Sequence, residues 1–224
     1  MEIKILYDNE ALEGFKKGWG FSCLIETATK KIVFDTGNGP GFLANMEKFH
    51  VSPKEIDDVV LSHPHPDHLG GLNYLLQRCS KVTVHVPSFF PFKLKVALMG
   101  TCNYHETFGF EQIEDTFWVD IVEASLSEQF CLIETAEGIL IITGCAHPGL
   151  PRIFEKAKGC QKPLIGVLGG FHDFNDLELM KSLSFIAPCH CTKSKKAILD
   201  RYPDKTHRCA SGVSFKFKQC DTSK

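Results

Sequence analysis

Three histidines and an aspartate occupy four of six consecutive positions, and this run constrains the chain more than any other feature. The run HPHPDH spans residues 63–68, although the whole sequence of 224 residues holds only 10 histidines. A β-prone segment, residues 58–61, comes directly before it, and a Gly-Gly pair at positions 70 and 71 follows it. We therefore predict that a strand leads into a loop carrying several metal-binding side-chain types.

The spacing within this run favours a metal site. His63 and His65 lie two residues apart, so an extended segment points both side chains the same way. Each histidine precedes a proline, and a proline disfavours the α region for the residue before it. The φ of proline is also fixed, so the loop loses less conformational freedom when a metal binds. Imidazole and carboxylate are ligands that zinc, iron and manganese accept. The alternative is a solvated polar turn in which Asp67 caps the next helix.

Two hairpin signals divide the rest of the chain into similarly organised halves. Each consists of two apolar-rich runs joined by a short turn, at residues 21–35 and 129–143. Helical periodicity is found at residues 69–76 and 176–183, among other places, whereas residues 88–128 have the least regular pattern. Hairpin-rich halves that are each completed by helices favour an α/β fold with two sheets packed face to face and helices outside.

Composition limits the class of protein. Hydrophobic residues make up 43% of the chain, which is enough for a packed core and excludes a disordered chain. The net charge of −2 lacks the basic excess with which many nucleic-acid binders contact phosphates. Apolar runs stop well short of the ~20 residues that a membrane span needs. The start of the chain does not resemble a signal peptide.

From these limits we predict one domain over residues 1–224, because no linker separates the halves. We expect a cytoplasmic location and a small-molecule substrate, with no nucleic-acid partner and no membrane partner, and we leave the oligomeric state open. Residues 89–92, with the sequence FFPF, form either an apolar lid over the site or a surface-packed loop.

The ten cysteines include no CxxC pair, and nothing in the sequence suggests secretion. We therefore expect reduced, mostly buried thiols and no disulfide framework. Cys189 and Cys191 flank His190, so in an extended chain both would face away from a metal that His190 binds, and we interpret them as packing residues. Cys145 has the parity of His147 and could lie nearer a site, although a buried thiol is the default interpretation.

The HPHPDH run resembles the signature of the metallo-β-lactamase superfamily. Three further segments resemble that family's other motifs in the same order, at residues 34–37, 144–149 and 188–192. The resemblance spans residues 3–217. It implies an αβ/βα sandwich of two mixed sheets with outer helices, with two metal ions in a cleft at one edge.

The resemblance also implies a ligand set. Three imidazoles would hold the first ion, those of His63, His65 and His147. A carboxylate and two imidazoles would hold the second, those of Asp67, His68 and His190. The implied cofactors are two divalent transition-metal ions, zinc in the first place, with iron or manganese as alternatives. Asp67 would also act as the catalytic proton acceptor for a water molecule, and the family's early aspartate, here Asp35, braces the metal loop.

One segment departs from the pattern of the family's hydrolases. Those enzymes place an aspartate that bridges the two ions where this chain has GGFHD, residues 169–173. A neutral imidazole has one free lone pair and cannot bridge two ions, so His172 at this position removes a negative charge and weakens the second metal. Adjacent strand residues point in opposite directions, so only one of His172 and Asp173 is expected to face the metals. We favour His172, and Asp173 then serves as a helix cap before Asn175.

Shorter segments resemble one subgroup of the superfamily, at residues 127–129, 144–149, 169–172 and 190–192. This subgroup takes its name from 7,8-dihydropterin-6-methyl-4-(β-D-ribofuranosyl)aminobenzene-5'-phosphate synthase. The resemblance to the superfamily implies a hydrolase that uses a water activated by two metals on a small ester, lactone, thioester or phosphoester.

Two alternatives stay open. One is a synthase-like enzyme that joins a pterin to an aminobenzene ribose phosphate. The other is a non-catalytic or redox di-iron protein, against which His65 argues, because the family's oxygen- and nitric-oxide-reducing members typically carry glutamate at that position.

Overall fold

The structure is a computed structural model that describes residues 1–79 and 81–220. Among these residues the chain forms two compact units. Unit 1 contains residues 1–107 and 210–216, and unit 2 contains residues 108–209 and 217–220. The prediction of a single domain stays a prediction.

The strands are numbered in chain order. They are β1 (Glu2–Tyr7), β2 (Ser22–Glu26), β3 (Lys31–Phe34), β4 (Asp58–Val60), β5 (Thr83–Pro87), β6 (Asn103–Thr107), β7 (Glu111–Glu114), β8 (Phe117–Val122), β9 (Glu128–Thr135), β10 (Gly138–Thr143), β11 (Leu164–Gly170), β12 (Phe185–Cys189) and β13 (Ser214–Lys216). The α-helices are α1 (Gly41–Lys48), α2 (Pro66–Leu69), α3 (Leu72–Leu76), α4 (Phe92–Met99), α5 (Leu150–Ala157) and α6 (Lys195–Arg201).

Unit 1 contains a mixed sheet with the strand order β13-β1-β2-β3-β4-β5-β6. Strands β13 to β3 pair antiparallel, and β3 to β6 pair parallel. The predicted first hairpin is confirmed as β2 and β3, whose turn is closed by the Thr27 hydroxyl oxygen accepting the Lys30 N–H at 3.0 Å. Because β3, β4 and β5 run parallel, the loops that follow them leave the sheet at one edge.

Unit 2 contains a second mixed sheet, with the strand order β12-β11-β10-β9-β8-β7. The predicted second hairpin is confirmed as β9 and β10. Strands β10, β11 and β12 pair parallel, so their following loops also share one edge. Helix α5 packs an apolar stripe on the core of unit 2, formed by Leu150, Ile153, Phe154 and Ala157 at helical spacing.

The structure differs from the sequence prediction at two helices. The predicted helix over residues 69–76 is broken into α2 and α3 at Gly70 and Gly71. A Cβ on Gly71 would lie 2.1 Å from the Thr36 carbonyl oxygen, so the chain passes too close to the loop after β3 for any side chain there. The predicted helix over residues 176–183 is shorter, a 3₁₀ turn at Leu177–Met180.

The segment with the least regular pattern, residues 88–128, contains β6, β7 and β8 as well as α4. Strand β6 extends the parallel part of the sheet in unit 1, and β8 pairs along its whole length with β9 in unit 2. These strands are stabilised by neighbours distant in sequence, which a local pattern does not reveal.

Candidate functional site

The HPHPDH run of unit 1 lies in the loop after β4 and continues into α2. His65 is the extended residue before the helix, with φ −89° and ψ 143°, and Pro66 is the first helical residue. His63 and His68 are buried, whereas Asp67 keeps 20% of its side chain exposed. The run therefore presents buried imidazoles together with a carboxylate that water can reach.

Asp35, directly after β3, holds this loop in place through hydrogen bonds. Its side chain is fully buried. One carboxylate oxygen accepts the Ser62 N–H at 2.8 Å, and the other accepts the Ser62 hydroxyl and the His68 Nδ1–H, both at 2.6 Å. Because the carboxylate accepts a hydrogen bond from Nδ1–H of His68, the proton stays on Nδ1 and the Nε2 lone pair is left to bind a metal.

Ser62 fixes the tautomer of the next histidine, His63, in the same way. Its single hydroxyl proton goes to Asp35, so its oxygen accepts from His63 Nδ1–H at 2.8 Å. His63 then also carries its lone pair on Nε2. The bracing role of Asp35 agrees with what the family resemblance implies. The role of Ser62 was not predicted, and its position just before the first histidine was the only available signal.

The donor atoms of unit 1 lie in two pairs. His63 Nε2 is 3.0 Å from His65 Nδ1, and His68 Nε2 is 3.8 Å from the nearer Asp67 oxygen. Two nitrogens bound to one tetrahedral zinc at ~2.0–2.1 Å would lie roughly 3.3–3.4 Å apart. Both pairs are near that spacing, so the donors of unit 1 suit transition-metal ions. The number of ions and the residues that share each ion stay predictions.

In unit 2 the three predicted histidines come from three different loops. His147 follows β10, His172 follows β11 and His190 follows β12. These strands are parallel neighbours, so the sheet of unit 2 carries all three loops at one edge. The ring centroids of His147 and His172 are 5.2 Å apart.

Glu128, the first residue of β9, holds the loop that carries His147. It is fully buried. One carboxylate oxygen accepts three successive backbone N–H groups, from Gly144, Cys145 and Ala146, at 2.9, 3.0 and 2.9 Å. The other oxygen accepts the His147 backbone N–H at 3.0 Å and its Nδ1–H at 3.1 Å. His147 therefore keeps its lone pair on Nε2, as His63 and His68 do.

Residues 127–129 are part of the subgroup resemblance, but no role was predicted for Glu128. The signal was an acidic residue at the start of a strand that continues with the apolar residues 130–133. An unpartnered carboxylate is expensive to bury, so this position required donors close by.

His172 and Asp173 differ in surroundings. The His172 side chain is 43% exposed and lies beside His147, whereas the Asp173 carboxylate pairs with Lys193 Nζ at 2.5 Å and with His172 Nδ1 at 3.0 Å. The hydrogen bond from Lys193 lowers the pKa of Asp173. Both residues follow the end of β11 and His172 has a φ of 46°, so strand alternation does not decide between them. A surface pocket of about 380 Å³ in unit 2 is lined by His147, His172 and Asp173, among others.

The cysteine interpretation is wrong in two respects. Cys189 is not a free packing residue, because it forms a disulfide bond with Cys209. Cys191 does not face away from His190, since its sulfur, the Cys145 sulfur and a His190 ring nitrogen lie within 4.8 Å of one another. The parity argument assumed an extended chain, but His190 has a left-handed φ of 44°. The other cysteines of the described residues form no disulfide bond.

The aromatic run at residues 89–92 is partly packed in the core and partly exposed. Phe90 is buried in the apolar core of unit 1 and Phe89 packs against it, whereas Phe92 is 76% exposed. This packing favours the surface-packed loop over the lid.

No helix among the described residues is long and apolar enough to span a membrane.

Residues 20–186 match the sequence profile of the metallo-β-lactamase superfamily. This match covers most of the chain, and the chain belongs to that superfamily.

Two proteins of Methanocaldococcus jannaschii are similar over most of the chain. An uncharacterized protein is 32% identical, covering 86% of this chain and 91% of its own length. The 7,8-dihydropterin-6-methyl-4-(β-D-ribofuranosyl)-aminobenzene-5'-phosphate synthase is 26% identical, covering 88% of this chain and 90% of its own length. The second similarity agrees with the subgroup resemblance seen in the sequence.

Among solved structures, Tm1679, a metal-dependent hydrolase of the β-lactamase superfamily, has a TM-score of 0.81 and 25% identity. The match covers 98% of this chain and all of Tm1679. The predicted fold class is confirmed, with two mixed sheets and helices of the metallo-β-lactamase αβ/βα type.

Proposed function

We propose that this protein is a metal-dependent hydrolase that uses a water activated by two metal ions on a small ester, lactone, thioester or phosphoester. One observation carries the proposal, and it recurs in both units. In each, a buried carboxylate accepts a hydrogen bond from the Nδ1–H of a loop histidine, in the pairs Asp35–His68 and Glu128–His147. Carboxylate-held imidazoles of this kind are typical of metal ligands.

The proposed ligands follow the family pattern. The first ion is assigned three imidazoles, those of His63, His65 and His147. The second is assigned Asp67, His68 and His190, and we place His172 at the position of the family's bridging aspartate. Zinc suits this nitrogen and oxygen set, with iron or manganese as alternatives.

Bound divalent ions would lower the pKa of a water molecule to ~7 and polarise a carbonyl or phosphoryl oxygen of the substrate. The chain's own contribution is orientation and proton transfer. Asp35 and Ser62 hold His63 and His68 in one tautomer, so the loop loses little freedom on binding. Asp67 would accept a proton from water, and the 20% exposure of its side chain supports this role.

As part of the same proposal, the substrate is a small molecule that the protein meets in the cytoplasm, and neither nucleic acid nor a membrane is a partner. The pocket beside His147 and His172 is the place in unit 2 where such a substrate would contact ligating residues.

The second candidate is the synthase activity, favoured by the 26% identity to the M. jannaschii synthase. Its substrate carries a phosphate, which basic side chains such as those of Lys93, Lys95 and Arg152 would bind. Lys95 pairs with Glu106 at 2.7 Å, and Arg152 donates to the Glu123 carbonyl oxygen at 2.7 Å. Two of these three cations are thus engaged in other contacts, which disfavours a phosphate site built from them.

The test compares zinc-reconstituted protein with chelated protein on a panel of a nitrophenyl ester, a lactone, a thioester and a phosphodiester. We expect zinc-dependent turnover of at least one substrate. Condensation of a dihydropterin with an aminobenzene ribose phosphate, with none of the panel hydrolysed, would overturn the hydrolase in favour of the synthase. Equal turnover with and without zinc would contradict both.

A further inference from the structure

Two cysteines and a histidine form a compact cluster within unit 2. The sulfurs of Cys145 and Cys191 and a ring nitrogen of His190 all lie within 4.8 Å of one another. All three residues are at most 9% exposed. The pattern of the family's motifs assigns a role to His190 alone.

The backbone around the cluster is fixed before any ligand arrives. Cys145 lies in the loop whose N–H groups bind the Glu128 carboxylate. On the other side, the Thr192 hydroxyl donates to the Cys189 carbonyl oxygen at 2.7 Å and accepts the Phe171 N–H at 2.9 Å, which holds the turn containing His190 and Cys191.

Gly170 provides the space in which the two cysteine-bearing loops approach each other. A Cβ at this position would lie 2.7 Å from the Cys191 sulfur and 3.0 Å from the Cys145 Cα. Any side chain here would push the loops apart. The close approach of the two thiols therefore depends on a residue outside the cluster.

The donor set has a definite metal preference. Thiolate and imidazole together suit zinc and other borderline-soft ions, whereas manganese and magnesium prefer oxygen donors. Three protein ligands leave the fourth tetrahedral position open for water or substrate, as in catalytic zinc sites.

We propose that Cys145, His190 and Cys191 form a thiolate–imidazole site for a borderline-soft divalent cation such as zinc. The inference rests on the proposed function, because His190 is also assigned there to the second ion. A neutral imidazole holds only one ion, so a cation at this site takes His190 in place of the second site, and the chain still binds two ions in all. The two thiolates carry the negative charge, so this site binds a cation without the bridging aspartate whose place His172 takes. On binding, each sulfur loses its proton to solvent, and the weak S–H contact from Cys191 to the Cys145 carbonyl oxygen, at 3.9 Å, is replaced by a metal–sulfur bond.

The first test is a titration of the metal-free, full-length protein with Co²⁺ under anaerobic conditions. We expect thiolate-to-cobalt charge-transfer absorption in the near ultraviolet. It should fall by about half in Cys145→Ser and in Cys191→Ser, as expected when one of two thiolate ligands is removed, and disappear in the double variant. Cys160→Ser, a half-buried free cysteine of the same unit, is the matched control and should keep the full band.

Cobalt ligand-field bands without charge-transfer absorption would overturn this site and leave the hydrolase proposal standing. No cobalt binding at all would overturn both. Should the serine variants fail to fold, zinc X-ray absorption of the wild-type protein decides the matter. Sulfur scatterers at ~2.3 Å support the site, and nitrogen and oxygen scatterers alone at ~2.0–2.1 Å contradict it.

Discussion

The two units present metal-binding side chains in opposite ways. Unit 1 places its donors in one short run, residues 63–68, whereas unit 2 draws its histidines from three loops after parallel strands. A single loop can be recognised from its sequence, because its ligands are neighbours in the chain. The three loops of unit 2 are brought to one edge of the sheet only through the pairing of β10, β11 and β12.

The buried carboxylates of the two units also work differently. Asp35 accepts one backbone N–H and two side-chain donors, so it mainly orients side chains. Glu128 accepts four backbone N–H groups and one ring N–H, so it shapes the loop itself. Substitutions in the two units should therefore have different consequences.

The largest expected effect is in the loop of unit 1. His63→Ala should lower zinc-dependent turnover by at least about 100-fold, since even residues that only support metal ligands typically account for 10–100-fold. Circular dichroism should remain native. The matched control is His50→Asn, an exposed histidine after α1 with φ 57°, a conformation that asparagine tolerates. Unchanged turnover in His63→Ala would place the chemistry elsewhere.

The second prediction sets the two carboxylates against each other. Glu128→Gln should lower metal affinity about 10–100-fold and also lower the free energy of unfolding by about 2 kcal/mol, because backbone donors lose a charged acceptor. Asp35→Asn should affect metal affinity as strongly but stability less. Calorimetric titration and denaturant unfolding measure the two quantities. A larger loss of stability in Asp35→Asn than in Glu128→Gln would contradict the different roles given to the two carboxylates.

A smaller effect is expected at His172, within the loops of unit 2. His172→Ala should reduce occupancy of the second metal about 10-fold, as loss of a supporting residue does, and reduce the first less. Asp173→Ala is the matched variant and should have a smaller effect, because its carboxylate is 60% exposed and shared between Lys193 and His172 Nδ1. Metal analysis at limiting zinc distinguishes the sites. Equal loss at both sites would contradict the assignment of His172.

The smallest effect concerns ion pairs outside the metal-binding loops. Burial opposes ionisation of Asp58 in unit 1, but hydrogen bonds from His85 at 2.7 Å and Lys30 at 2.8 Å outweigh it and lower its pKa. A lowered pKa stabilises the fold above the carboxyl's ordinary pKa of ~3.9 and loses that stabilisation as the pH falls towards the folded-state value.

Asp58→Asn should therefore cost about 1 kcal/mol at pH 7 and progressively less below pH ~4. In unit 2 the buried Asp120 pairs with the half-exposed Lys156 at 3.3 Å, so Asp120→Asn should cost less. Urea unfolding at several pH values measures both. A loss in Asp58→Asn that grows on acidification would have the wrong sign for this account.

Local patterns predicted the hairpins, the loop after β4 and the donors within it, because each depends on neighbouring residues. His147 and His190 were predicted only through resemblance to the superfamily, since nothing near them in the sequence marks them as ligands. The role of Glu128 could not be predicted, because its carboxylate oxygens meet their backbone N–H donors only when β9 pairs with β10. The direction of the Cys191 side chain was predicted wrongly, because the left-handed φ of His190 turns the next side chain towards the opposite side.

The measurement that tests the central claim most directly is elemental analysis of the wild-type protein after reconstitution with zinc and removal of excess metal. The paired donors of unit 1 and the carboxylate-held histidine of unit 2 predict close to two equivalents of zinc per chain. A protein that retains no metal after reconstitution would contradict the account.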